Sequence, residues 1–537
     1  MLALCLMDDT HCIPYRSTGY FSKLICDYLD QKPELQHLYH RFPSLENFED
    51  QIEEKSGFER ANRELLQRQL QQQYQGFEIT EALQNNLENL ANSKTFTITT
   101  GHQLNLFTGP LYFFYKIVSV INLCKRLKQQ YPDYDFVPVY WMATEDHDFA
   151  EINHINRDGG RLVWDREASG PVGRLKTDSL APVLDRLEEL SGPGTRTKHL
   201  LKILRTAYLQ QANLAQATRY LVHHFFAHEG LVIVDGDDVE LKKVMIPYFE
   251  KDLLENLSSA AVKTTTDWLS DNYFEQVHAR DINLFYIKEG LRERIESDGK
   301  VWQVLNTDIR WNRSELLEEL QNHPERFSPN VILRPLYQEV ILPNLAYIGG
   351  GGELAYWLQL KTLFNKVAVP FPMLILRNSA LLYTNRQEQK LSKLGLEIQD
   401  LFQPLHQIKG KLAAETAPVN PALEPYQSKL QKMFDELEEV AHLTDKSMLG
   451  AVNAQRQKQL NGLDKLRKKL IRAEKRKHSD TMQRLEDLYL QLFPGGGLQE
   501  RHDNFIQYYE EYGEAWLEKL MQSLNPLDFR FTLIRQK

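Results

Sequence analysis

At 537 residues, with 42% hydrophobic and 26% charged side chains, the chain is too long for one core and has the composition of a globular protein of roughly two to four structural units. Its formal net charge of −9 argues against general nucleic-acid affinity, which needs a dominant positive surface. No apolar run is long enough to span a bilayer, because Lys116, Ser119 and Asn122 interrupt the best candidate.

Cys5, Cys12, Cys26 and Cys124 contain no C-x-x-C pair. They offer neither a cysteine-rich zinc site nor a disulfide framework, and a reducing cytoplasm is the expected compartment.

Residues 17 to about 90 read as helices broken at Gly19, Pro33, Pro43, Gly57 and Gly76. The β-branched run Thr95 to Thr100 predicts a strand. It breaks at Gly101 and at Gly109-Pro110, where Pro suits a first helical turn. Ile117, Val118, Ile121 and Cys124 then follow helical spacing. Phe136 to Met142 is apolar almost throughout, as in a strand covered on both faces. A hairpin is expected over residues 155–179 and helices from Leu184 to Phe226. Leu231 to Asp235 predicts another buried strand, with a helix from Val239. Short β runs at Asn283 to Lys288 and Val301 to Leu305 form a second insertion with a charged helix near Glu315. Asn330 to Leu333 and Val367 to Arg377 read as further strands, with a helix from Leu354 to Phe364 between them. This order predicts an α/β protein built on a doubly wound parallel sheet with two insertions, about 151–229 and 258–328.

From about Leu381 to Leu490 glycine nearly vanishes. Leu423, Tyr426, Leu430, Met433, Leu437 and Val440 keep heptad spacing, and Leu463, Leu466, Leu470 and Ala473 repeat it. Two facing helices, an antiparallel coiled coil, are expected over 381–490. The core then occupies 1–380, and residues 491–537 return to it.

Ligands of open α/β sheets bind outside the carboxyl ends of the strands. The second strand ends in Glu145, Asp146, His147 and Asp148, followed by Glu151 and His154. Such a group can position an ammonium, act as acid or base, or hold a divalent cation such as Mg2+. A solvated turn capping the next helix is the bland alternative. Thr100, Gly101, His102 and Gln103, with Gly109 beyond, can present backbone N–H groups to a phosphate, although any strand-to-helix turn needs such residues. Gly349, Gly350, Gly351 and Gly352, before Glu353, allow close approach of a ligand, yet they are no phosphate-loop motif. Arg334 and Arg377 are candidate anion contacts.

GYFSKLICDYL, TTGHQLNLFTGPLYFFYK, VPVYWMATEDHDFAEINH, NVILRPLYQEVILPNLAYIGGGGELAYWLQLK and the late GGLQER together resemble the bacillithiol synthase family, the BshC cysteine ligases, over nearly the whole chain. That resemblance implies a Rossmann core related to class I aminoacyl-tRNA synthetases, with two connecting-peptide insertions and a coiled coil that makes a homodimer. It implies the joining of cysteine to glucosaminyl-malate, and hence ATP, because a free carboxylate does not form an amide unactivated. Thr100 to Gln103 and Gly109-Pro110 take the place of the first class I signature. Gly101-His102-Gln103 stands where the family usually reads Gly-Gln-Gln, and the second signature has no counterpart beyond Arg377-Asn378-Ser379.

On this reading Glu145, Asp146, His147 and Asp148 are catalytic. Thr100 to Gln103, Glu151, His154, Arg334 and Tyr347 bind substrate. Gly109, the glycine run, Glu353 and Arg377 bind the nucleotide, and zinc has no role. The rivals are another small-molecule ligase or nucleotidyl transferase on the same fold, and a non-catalytic partner protein working through its coiled coil.

Overall fold

Alternation decides how the first strand sits. In β1 (Thr95–His102), Phe96 and Ile98 face one side and join a core with Val120, Leu123 and Leu127. Thr97 and Thr99 face the other and donate to Asn344 Oδ1 at 3.2 and 2.8 Å, so their burial leaves no hydroxyl unsatisfied. In the computed structural model, which describes residues 9–157, 159–274, 276–415, 423–477 and 479–536, β1 is the centre of a five-stranded parallel sheet.

The other strands are β2 (Asp135–Met142), β3 (Val232–Asp235), β4 (Asn344–Gly349) and β5 (Met373–Leu376), in the order β5-β4-β1-β2-β3. This is the doubly wound order, reversing direction between β1 and β4, where a crevice must open at the carboxyl ends. Helix α1 (Tyr112–Gln130) carries the chain from β1 to β2. It is apolar around most of its circumference, as expected for a helix buried on all sides. α2 (Val239–Lys243) follows β3, α3 (Arg334–Ile341) precedes β4, and α4 (Gly351–Trp357) follows it.

Three expectations about elements are corrected. Asn330 to Leu333 is a turn whose Asn330 side chain accepts from the Ile332 and Leu333 amides. The strand beside β1 is instead Asn344–Gly349, whose buried Asn344 disguised it. The run Val367 to Arg377 yields a strand only at Met373–Leu376, and the expected helix 354–364 is two helices, α4 and Lys361–Val367.

The first insertion holds a hairpin of His154–Arg157 with Gly160–Val163, then helices Ala181–Leu190, Thr195–Gln210 and Leu214–Phe226. The second holds an antiparallel sheet of Leu284–Lys288, Leu291–Ser297, Trp302–Val304, Arg310–Trp311 and Phe327–Pro329. Among the described cysteines, Cys26 and Cys124 are buried free thiols and Cys12 is disulfide-bonded, a link that four scattered cysteines did not signal. No helix among the described residues is long and apolar enough to cross a membrane.

The chain divides into two compact units. Among the described residues, one comprises those up to Arg16, Tyr20–Ala380 and Glu500–Leu533; the other comprises Ser17–Gly19, those within Leu381–Gln499 and those from Ile534 on. Within the second, α5 (Glu424–Thr444) and α6 (Leu449–Lys477) form an antiparallel helical hairpin. Asp445 closes the turn by accepting from the Ser447 amide at 2.8 Å. The seam differs from the expected one. The least exposed positions are the cap Leu423 and, on α5, Gln427, Leu430, Phe434, Glu438 and Ala441, and on α6 they include Leu460, Leu463 and Ile471. Tyr426, Met433, Leu437, Val440, Leu466 and Leu470 remain exposed.

Candidate active site

The carboxyl ends of β1, β2 and β4 open into a cleft of about 680 Å3. Glycines at its floor keep side chains from crowding it. A Cβ on Gly101 would meet Tyr347 Oη at 3.2 Å and Arg334 Nη1 at 3.6 Å, and one on Gly236, just beyond β3, would meet the Trp141 ring at 2.6 Å.

The ends of β1 and β4 are joined by one buried cation. Lys116, on the first turns of α1, donates to the Gly101 carbonyl at 2.7 Å and lies 2.5 Å from Glu353 Oε2. Glu353 also accepts from the Tyr347 hydroxyl at 2.7 Å and the Gly350 amide at 2.8 Å. Burial works to raise the Glu353 carboxyl, but Lys116 and these donors bring it below the usual range. The Gly350 amide is therefore taken by the protein and is not open to a ligand.

At the end of β2, Asp146 Oδ2 accepts from Gln103 Nε2 at 2.8 Å, and Oδ1 accepts from the His147 amide at 2.7 Å. Burial opposes ionisation, yet the hydrogen bonds from His147 and Gln103 hold this carboxyl far below the ordinary aspartate value. Asp146 is thus a fixed negative charge facing the cleft, suited to holding a cation and too weak a base to take its proton. Gln103 Nε2 also reaches Glu151 Oε2 at 2.8 Å. His147 Nδ1 lies 2.7 Å from Arg292 Nη1. Arginine can only donate, so Nδ1 is the acceptor in this contact.

Glu145 faces a different partner. Its carboxylate pairs with Lys242 of α2, whose ammonium also donates to the Glu325 carbonyl at 2.9 Å. Burial raises the Glu145 carboxyl and Lys242 opposes the rise. Asp237 sits 3.7 Å from the same ammonium and pairs with Arg174 at 2.8 Å. Glu145 is thereby committed to tying the end of β2 to α2.

Three buried polar groups at the cleft lack partners. Arg334 Nη2, Arg377 Nε and His102 Nε2 make no hydrogen bond. Arg377 is otherwise held by Glu500 Oε1 at 2.7 Å and Ser379 Oγ at 2.9 Å, and its guanidinium stacks 4.7 Å from the Tyr112 ring. Burial, reinforced by Lys116 and Arg377, holds the His102 imidazole well below its ordinary value, so it is neutral. Buried donors left unmade are costly, and two of these three are guanidinium N–H groups. These unpartnered donors lie at the carboxyl ends of β1 and β4, beside Gly101 and Gly350.

Of the residues singled out in the sequence, the cleft collects Gly101, His102, Gln103, Glu145, Asp146, His147, Arg334, Tyr347, Gly350, Gly352, Glu353 and Arg377. It does not collect Thr100, whose hydroxyl donates to the Ile348 carbonyl at 2.7 Å. Gly109 is also outside it. With φ +68 and Asn105 Cβ 2.6 Å from where its own Cβ would be, Gly109 shapes the turn before α1. Asp148 precedes a short helix, Glu151 touches the cleft only through Gln103, and His154 begins the first insertion's hairpin next to Asn153. Gly349 and Gly351 pack against Leu354 and Ile25. The sequence reading missed Lys116, Tyr112, Arg292, Arg294, Arg280 and Arg501, which also line the cleft. Lys116 left a signal, a lone cation on an apolar helix. Tyr112 begins the same helix and Arg501 ends the GGLQER motif, while Arg280, Arg292 and Arg294 come from the second insertion, where nothing local marks them.

Such a fold defines a Rossmann-like α/β protein whose cleft carries an ionised carboxylate and unpartnered guanidinium donors. Residues 8–378 match the family model described as Bacillithiol biosynthesis BshC, N-terminal Rossmann-like domain, and residues 380–536 match Bacillithiol biosynthesis BshC, C-terminal coiled-coil domain. A relative from Flavobacterium johnsoniae is 51% identical over 98% of this chain and 99% of its own, and one from Flavobacterium psychrophilum is 50% identical over the same shares. A relative from Cytophaga hutchinsonii is 39% identical over 97% of this chain and 98% of its own. All three carry the name "Putative cysteine ligase BshC". The chain belongs to the BshC family of bacillithiol biosynthesis, and it is a ligase.

Proposed function

We propose that this ligase joins the carboxyl group of cysteine to the amine of glucosaminyl-malate, with ATP activating the carboxylate, in the cytoplasm. The observation that carries the reading is the zoning of one cleft. Asp146, a fixed carboxylate, lies on one side, and the unpartnered donors of Arg334 and Arg377 lie on the other.

Amide formation expels a carboxylate oxygen, and ATP supplies the chemistry by turning that oxygen into a leaving group. The residues fit such a nucleotide at the floor of the cleft. Gly101 and Gly350 leave room where a Cβ would intrude, and Arg334 and Arg377 offer N–H donors to phosphate or carboxylate oxygens. Among the described residues no group of three or more acidic, histidine or cysteine side chains is placed to hold a metal ion. No side chain is therefore assigned to Mg2+.

The protein's own contribution is to bind and orient. Asp146 holds the substrate ammonium beside the activated carboxyl. Attack needs the free amine, so a proton must leave. Burial beside Lys116 and Arg377 disfavours a protonated His102 just as hydrogen bonding disfavours a protonated Asp146, so neither side chain is assigned that proton. Gln103 fixes the Asp146 carboxylate, and the Lys242–Glu145 pair fixes the strand end that carries it.

The homodimer belongs to the same proposal. The exposed stripe of Tyr426, Met433, Leu437 and Val440 with Leu466 and Leu470 supports a second copy packing on the hairpin, since apolar stripes at heptad spacing seek a partner helix.

The test is turnover by the purified full-length chain given ATP, cysteine and glucosaminyl-malate, with the thiol product read by mass spectrometry. The reading requires product only when all three are present. ATP consumption that is independent of cysteine, or product from other amines at equal rates, would replace it with another ligase or a nucleotidyl transferase.

A further inference from the structure

The antiparallel sheet of the second insertion supplies one wall of the cleft, and its side chains are not random. Arg292 and Arg294 lie two residues apart on the strand Leu291–Ser297, hence on one face. Phe285 pairs directly opposite Arg294 and shares that face. The Arg292 guanidinium stacks 4.0 Å from the Phe285 ring centre, with Nε 3.4 Å from Ser328 Oγ and Nη1 on His147. These contacts hold Arg292 in place. Arg294 has Glu296 at 3.8 Å as its ion-pair partner, and Arg280 has no carboxylate partner among the described residues. All three arginines line the cleft.

The loop that carries Arg280 is pinned by buried polar groups. The Arg280 amide donates to Asn283 Oδ1 at 3.1 Å, and Asn283 Nδ2 returns a bond to the Arg280 carbonyl at 2.6 Å. Asn283 is fully buried. Its amide donates to Asp252 Oδ2 at 2.7 Å, and Asn330 Nδ2 donates to its Oδ1 at 2.8 Å. Asn330 in turn caps the turn into α3, which carries Arg334. One buried hub therefore sets both Arg280 on the wall and Arg334 on the floor. Burying this many polar groups is tolerated only when every partner is in place, so the wall is a rigid construction.

The geometry points to a second anion subsite, made by Arg280, Arg292 and Arg294, that takes the dicarboxylate end of the amine substrate while Asp146 takes its ammonium. This assignment rests on the function proposed above, in which the amine carries a malate group. Three guanidiniums facing one carboxylate suit two further carboxylates, because each planar fork matches a carboxylate's two oxygens. A nucleotide phosphate offers similar oxygens, and the experiment separates the two.

Titration calorimetry on the full-length protein would use L-malate, lactate and ATP as probes, with Arg280→Gln, Arg294→Gln and Arg294→Lys variants. Circular dichroism would confirm that the partly exposed positions leave the fold intact. The subsite requires that malate bind the wild type at least tenfold more tightly than lactate. Arg280→Gln and Arg294→Gln must each weaken malate about tenfold, Arg294→Lys less, and ATP binding must not change. Equal malate binding across the variants, no malate binding to the wild type, or losses confined to ATP would each overturn it. Product formation separates this claim from the parent reading. Product made by Arg280→Gln and Arg294→Gln with an unchanged KM for the amine removes the subsite and leaves the ligase. Arginine-dependent malate binding without any product does the reverse.

Discussion

The Lys116 ammonium lies 2.5 Å from the Glu353 carboxylate and 2.7 Å from the Gly101 carbonyl, so a single buried cation bridges β1 and β4 at the place where the sheet reverses direction. Lys116 is 3% exposed and Glu353 25% exposed. Removing the cation strands a carboxylate that still accepts from Tyr347 and Gly350. Breaking a buried pair costs about 3–5 kcal/mol, and the partial exposure of Glu353 places this one near 2–3 kcal/mol. Lys116→Met should lose that much in urea unfolding and lose most activity. Adding Glu353→Gln should recover part of the stability without the activity. Equal unfolding midpoints for wild type and Lys116→Met would show that the bridge holds nothing.

Asp146 gives a pH prediction whose sign follows from its environment. Its folded-state pKa is lowered by hydrogen bonds from His147 and Gln103, so the folded protein binds fewer protons there than the unfolded chain. The stabilisation is complete above the unfolded aspartate value, about pH 4, and is lost as pH falls below it. Asp146→Asn should therefore be less stable than wild type at pH 7, by about 1 kcal/mol for the charge-assisted bonds weakened. The two unfolding curves should converge on acidification. Ligase activity should fall by about 100-fold or more at every pH, because the ammonium loses its counter-charge. A difference in stability that grows toward low pH would contradict the ionised assignment.

Local chemistry made some of this legible and concealed the rest. The strands β1, β2 and β3 announced themselves as β-branched or apolar runs, and the acids after Met142 announced the end of β2. β4 did not, because a buried Asn344 that binds two threonines of β1 looks like a loop residue until its partners are known. Glu145 and Asp146 were indistinguishable in sequence. Only Lys242, 97 residues away, gives Glu145 an ion-pair partner that Asp146 lacks, although both line the cleft. The heptads were visible but their assignment to a seam was not, since two apolar stripes one position apart differ only in what packs on them. Arg292 and Arg294 belong to an insertion that local pattern places nowhere near the sheet.

Gly236 tests how tightly the floor is built. Its Cβ position lies 2.6 Å from the Trp141 ring, and an indole packed 5.2 Å from the Tyr337 ring has little freedom to retreat. Gly236→Ala adds one methyl group and should destabilise by about 1–3 kcal/mol, the usual cost of overpacking. Because Trp141 ends β2 next to the acidic turn, activity should fall further than stability alone explains. Thermal unfolding beside kcat and KM would check this. A variant with wild-type melting and kinetics would mean that the ring has room the packing does not show.

The helical hairpin offers the last prediction. Leu437 of α5 and Leu470 of α6 are 43% and 39% exposed, while the hairpin's own seam runs through Phe434, Ala441 and Leu463 and is crossed by Arg456 pairing with Asp435 and Glu438 at 3.0 and 3.1 Å. Charges placed at the exposed positions therefore spare the seam. Sedimentation velocity should show the full-length chain as a dimer and a Leu437→Lys, Leu470→Lys variant as a monomer with unchanged helical content. Phe434→Ala should act oppositely, opening a cavity inside the hairpin and lowering its stability by about 3 kcal/mol at most, given a site this close to solvent. A lysine variant that stays dimeric would move the interface elsewhere and leave the exposed stripe without a partner helix.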